Sequence, residues 1–175
     1  MEIIQAIGED PNREGLQGTP RRIAEMYCEL LSGMDVDPMD DLATGFDEAH
    51  QDIVIFKDIP FFALCEHHFL PFFGTVNVGY IPNDRIVGVS KIARAVDTLA
   101  KRPQMQERLT AQMADAVMKA LGPKGVGVIV QAEHLCMTMR GVKKPGSSIV
   151  TSATRGSFGE DPATKAEFMS LFRGS

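Results

Sequence analysis

No stretch of this sequence approaches the roughly 18 consecutive apolar residues that a membrane span requires. The first residues, MEIIQAIGEDPNREG, lack the basic stretch, apolar centre and small-residue cleavage site of a secretory signal. A cytoplasmic protein is expected. Positive charge is in short supply: 18 Lys and Arg against 23 Asp and Glu leave a formal charge of −5. That argues against a general nucleic-acid binder, which needs a basic face. Any phosphate must meet a local basic cluster instead. Cysteine is scarce too, and three of them without an export signal argue against a disulfide framework. Metal binding or catalysis is the better use of such thiols, with burial as small hydrophobes the alternative. Internal repeats, low-complexity tracts and dividing linkers are also missing.

What is present is an ordinary globular composition, 44% hydrophobic and 23% charged. A chain of 175 residues can bury a real core. One domain is expected over 1–175, with a helical segment and loop over 1–50 and the core over 51–175. TPRRIAEMYCELLSG reads as a helix: Thr19 caps it, Pro20 takes its first position, and Gly33 ends it. Ile23, Met26, Tyr27, Leu30 and Leu31 form its stripe, and Cys28 is expected to pack. Residues 34–50, acidic and turn-rich, read as a loop.

DIVIFKDI, FGTVNVGYI and RIVGV read as strands. Ser90 can cap the helix KIARAVDTLAK, and Pro103 can open PQMQERLTAQMADAVMKAL, which Gly122 ends. A long strand, GVGVIVQAEHLCMTMRG, precedes SSIVTSATRGSF, and a last helix from about Pro162 to Phe172 has Asp161 as its cap. Strand pair, helix pair, strand pair with short connections indicates an α+β class, an antiparallel sheet with helices on one face.

The chemistry concentrates in CEHHFLPF, where Cys65, His67 and His68 crowd a thiol and two imidazoles into four positions. Alternation along the long strand would put His134, Cys136, Thr138 and Arg140 on one face. Pooled, Cys65, His67, His68, His134 and Cys136 are candidate ligands of zinc, because thiolate and imidazole disfavour magnesium and calcium. Four ligands would close a structural site; three would leave the open position of a catalytic one. Five candidates for at most four places leave at least one histidine free to act as a general acid or base.

Ser90–Arg94 opens a helix, where exposed N–H groups and the dipole favour an anion, with Lys91 and Arg94 one turn apart. Arg140, on the metal-side face of the long strand, and the following Lys143 and Lys144 add to a possible basic cluster. In RPQMQER, Gln106 and Glu107 begin the next helix, and a carboxylate there can accept a pair of N–H bonds such as guanine offers. His50 reads as a surface residue.

Together these residues resemble the GTP cyclohydrolase type I family. The likeness runs through NREGLQGTPRRIAEMY, CEHHFLPFFGTVNVGYIP, GVSKIARAV, RPQMQERLT, HLCMTMRGV and TSATRGSF. The resemblance implies the tunnelling fold, assembled through its sheets into a homodecamer with active sites between subunits. It implies conversion of GTP and water to 7,8-dihydroneopterin triphosphate and formate. One zinc per subunit would be held by Cys65, His68 and Cys136, with His67, His134 and Ser90 moving protons. Gln106 and Glu107 would recognise guanine, while Lys91, Arg94, Arg140 and Arg22 would hold the triphosphate. The rivals are a structural zinc protein that scaffolds a partner and another tunnelling-fold enzyme acting on a pterin or deazapurine.

Overall fold

The computed structural model describes residues 1–173. A short helix α1 (Glu2–Ala6), a 3-10 turn at Glu14–Leu16 and a longer helix α2 (Thr19–Leu30) lead into α3 (Pro38–Leu42) and β1 (Gly45–Asp47). The long hairpin β2 (Val54–Cys65) and β3 (Pro71–Ile81) follows, then β4 (Arg85–Val87) and α4 (Val89–Ala100). After β5 (Pro103–Gln104) come α5 (Gln106–Leu121), β6 (Gly125–His134) and α6 (Leu135–Thr138). The chain closes with β7 (Ile149–Gly156), α7 (Ser157–Glu160) and α8 (Pro162–Arg173).

The main sheet has the order β5-β2-β3-β6-β7, antiparallel except where β5 runs parallel to β2. On one face, α4 and α5 bring Ile92, Val96, Leu99, Leu109, Met113 and Val117 against Val76, Val78, Val126, Val128 and Val130. The α+β expectation holds. The other face of β6 carries Ile129 against Phe158 and Phe168. Gly79 and Gly127 pair directly across β3 and β6. A Cβ on either would come within 2.6 or 2.8 Å of the Phe168 ring, so these glycines form the notch that seats α8. Covered on both faces, β6 needs apolar residues in succession rather than alternation, which explains GVGVIV.

Several local expectations are corrected. Thr19 is the first residue of α2 and Gly18 its cap, and Gly88 stands before α4 with Ser90 inside the helix. Pro103 lies in β5, and Met105 precedes α5. Within 34–50, Asp37 caps α3 by accepting the Met39 N–H at 2.9 Å, and β1 pairs with β4. The predicted long strand ends at His134, where the chain turns helical. Cys28 is exposed rather than packed, and α2 has no buried residue. Gly122 and Asp161 act as expected: Gly122 ends α5 at φ +56°, and Asp161 accepts the Ala163 and Thr164 N–H groups.

Candidate active site

Cys65 ends β2 and is buried. Its carbonyl accepts the Phe69 N–H at 2.8 Å, and its own N–H donates to Leu70 at 2.9 Å. The hairpin therefore turns within the CEHHFL segment. Phe69 takes a φ of +53°, a backbone region that non-glycine residues occupy sparingly, and Tyr27 of α2 packs against its ring. Both His67 and His68 are exposed on this turn. Glu66 anchors it: its N–H donates to the Gln104 carbonyl at 3.0 Å, and its carboxylate takes both terminal nitrogens of Arg108. The bond from Arg108 holds the Glu66 carboxyl below its usual range.

Cys136 reaches the same place from β6. The strand ends with His134 opposite Phe72, and the single turn of α6 brings Cys136 to the hairpin. One ligand atom each from Cys65, His68 and Cys136 lies within 4.8 Å of the others. Strand alternation foresaw this meeting by the wrong geometry, because Cys136 sits in a helix. Burial, with Cys65 alongside, pushes the Cys136 thiol up. Two thiols pressed together gain from a cation, which would stabilise both as thiolates. A tetrahedral zinc separates its ligands by about 3.5–3.8 Å. The group fits zinc after a small closure, and among the described residues it has three members. His67 sits beside it, Nδ1 3.7 Å from the Cys65 sulfur.

His134 is half-buried between Phe72, stacked at 4.6 Å and 5°, and Gln106, whose Oε1 is 2.8 Å from Nε2. Burial lowers the His134 pKa, and the Glu107 carboxylate opposes the shift. Glu107 itself is exposed in the first turn of α5. The Gln106 side chain, expected to recognise guanine, is turned inward in this chain. Gln106 is 1% exposed, and its amide nitrogen lies 3.0 Å from the carbonyls of both Val130 and Ile149. Both ends of that amide already have partners inside the chain, the nitrogen on backbone carbonyls and the oxygen on His134. Phe72, Thr110 and Thr151, which surround this arrangement, carried no sequence signal as site residues.

Arg140 stands beside His68, Nη1 to Nε2 at 3.1 Å. A guanidinium only donates, so Nε2 must accept. An imidazole bound to a metal keeps no second lone pair, so ligation by His68 and this contact exclude each other.

The remaining basic residues lie elsewhere. The Val87 N–H, just before α4, donates to the Tyr80 hydroxyl. After α4, Pro103 and Gln104 pair with Leu64 and Cys65. The C-terminal end of α4 therefore lies at the Cys65 end of the sheet. Ser90 and Lys91 lie toward the other end, about 14–15 Å of helix away, with Arg94 one turn along. Arg22 donates to the Thr19 hydroxyl on its own helix. The run of α4 thus sets Ser90 and Lys91 away from the cysteines, and Arg94 less far.

Comparison with known proteins agrees with the motifs. The family model described as GTP cyclohydrolase I matches residues 1–173. GTP cyclohydrolase 1 of Dehalococcoides mccartyi (strain BAV1) is 58% identical over 175 residues, covering 99% of this chain and 93% of that protein. The enzyme of that name from Halalkalibacterium halodurans is 57% identical, over 98% of this chain and 92% of that one. The Streptococcus agalactiae protein so named is 51% identical over the same shares.

Proposed function

Since the chain belongs to the GTP cyclohydrolase I family, we propose that it binds one zinc ion at Cys65, His68 and Cys136. There it converts GTP and water into 7,8-dihydroneopterin triphosphate and formate, opening pterin and folate synthesis. The observation that carries this reading is the meeting of the three donors from two distant segments. Bound zinc would supply a Lewis acid that lowers the pKa of water and leaves one tetrahedral position open.

The chain's own residues do the rest. Glu107 accepts the guanine N–H groups, and its exposure leaves both oxygens available. His134 and His67, neither of them in the ligand group, move protons to and from the purine and later the ribose. Arg140, released when His68 ligates, turns to the triphosphate.

Lys91, Arg94 and Ser90 act on the substrate from a neighbouring subunit. The distance along α4 supports that reading, and so does the exposed apolar surface. Phe62 is 69% exposed and lines an apolar groove of about 530 Å³ with Leu30, Ile59, Phe61 and Ala93. β7 is an open sheet edge. Assembly into a ring, a decamer in this reading, would cover both. No helix of the described residues is long and apolar enough to cross a membrane, in keeping with a cytoplasmic enzyme.

A structural zinc protein needs a closed fourth position, and the described residues offer no fourth donor in the group. Incubation of the zinc-loaded protein with GTP separates the readings: formate release supports the enzyme, and zinc binding without formate supports the scaffold.

A further inference from the structure

We infer that Gln106 is a positioning residue, which fixes His134 as the tautomer with its proton on Nε2 and leaves Nδ1 as the nitrogen that exchanges protons with substrate. The inference rests on His134 acting in the proposed reaction, but its basis is hydrogen bonding within the chain.

Oxygen and nitrogen of a carboxamide are told apart by their partners. The Gln106 nitrogen lies 3.0 Å from the Val130 carbonyl and 3.0 Å from the Ile149 carbonyl. Reversing the amide would set its oxygen against two carbonyl oxygens, so this atom is the NH2. A hydroxyl chain agrees. Thr110 donates to the Gln106 backbone carbonyl at 2.6 Å, so its oxygen accepts from Thr151 at 2.7 Å. The Thr151 oxygen, its proton spent, is a third acceptor beside the same nitrogen at 3.2 Å, sharing its two hydrogens with the carbonyls. Each link has one allowed direction, and all return the same answer.

The remaining atom of the amide, Oε1, faces His134 Nε2 at 2.8 Å. An acceptor at that distance requires a donor, so Nε2 carries a proton in the neutral and the charged ring alike. Phe72, fully buried, stacks flat on the imidazole and covers one of its faces, which favours a single ring orientation. With Nε2 engaged by Gln106, Nδ1 is the ring nitrogen left open. The carbonyls that orient Gln106 come from β6 and β7, so the sheet itself sets the histidine.

The test is nitrogen NMR on zinc-loaded protein labelled at histidine, with the His134→Asn spectrum assigning the signals. In the wild type, neutral His134 should show a pyrrole-type Nε2 and a pyridine-type Nδ1. Gln106→Met removes the acceptor at similar volume and should mix the tautomers. With GTP, its kcat should fall by about ten- to a hundredfold while KM moves by less than about threefold. A wild-type His134 protonated on Nδ1 would overturn the inference, whether or not the variant folds. So would a Gln106→Met protein with unchanged spectra, or one whose loss lies mainly in KM. A wild-type chain that released no formate would sink the functional reading alone, and the spectra would still decide the role of Gln106.

Discussion

At the scale of single residues, the site divides neighbours that the sequence places side by side. Gln106 and Glu107 are consecutive at the start of α5, yet one is buried and bonded inside the chain while the other is exposed. Helical geometry separates them by 100°, so adjacent residues face different surroundings. In the proposed reading, substrate recognition falls to Glu107. Glu107→Gln keeps the shape but exchanges one acceptor oxygen for a donor. Two charge-assisted bonds, each about 1.5–3 kcal/mol, are weakened or lost. Steady-state kinetics should show kcat/KM for GTP down roughly a hundredfold, with circular dichroism unchanged. A variant within about threefold of wild type would remove Glu107 from the site. The Cys-x-x-His and His-x-Cys spacings make a pool of five candidate donors legible in the sequence, and the family resemblance narrows it to three. The buried polar network around Gln106 is not legible there, because glutamine and threonine near a helix start also fit a solvated surface.

At the scale of elements, the strands and helices of the core follow from periodicity, and the errors fall where local chemistry overrides it. Residues 125–141 are apolar enough to continue as a strand, but pairing to β3 stops at Phe72 and the chain closes a helical turn. Nothing in HLCMT announces that stop, since the constraint comes from the length of β3. Thr19 and Ser90 resemble caps and are not, because glycine stands in the cap position of both helices. The docking of α8 is likewise unreadable from sequence. It depends on Gly79 and Gly127, distant along the chain, meeting across two strands. Phe168 is 1% exposed in their notch. Phe168→Ala should therefore cost about 3–5 kcal/mol in denaturant unfolding. Zinc content should stay at the wild-type level, because the donors lie at the far end of the sheet. A loss below about 1 kcal/mol would mean that α8 is not anchored there.

At the scale of the whole molecule, the proposed reading sets the zinc donors toward one end of the sheet and the phosphate-holding start of α4 toward the other, so that two chains share one site. Two crippled chains should therefore repair each other. Cys136→Ser lacks a donor, and Lys91→Ala with Arg94→Ala lacks the phosphate grip. Each alone should be nearly inactive. Co-expressed, random mixing leaves about a quarter of shared sites with both native contributions, and activity should recover to that order. Activity no higher than the sum of the two would place the site within a single chain. The central claim, that the Cys65, His68 and Cys136 group is where GTP is opened, is tested most directly by formate release per bound zinc from GTP. The comparison is between Cys136→Ser and Cys28→Ser. Cys28 is exposed on α2, so its serine variant should keep zinc and turnover near wild type. Cys136→Ser should lose most of its zinc and release formate only at background, with the sheet and helices intact on circular dichroism. A Cys136→Ser protein that retained zinc and formate release, or a Cys28→Ser protein that lost both, would contradict the account.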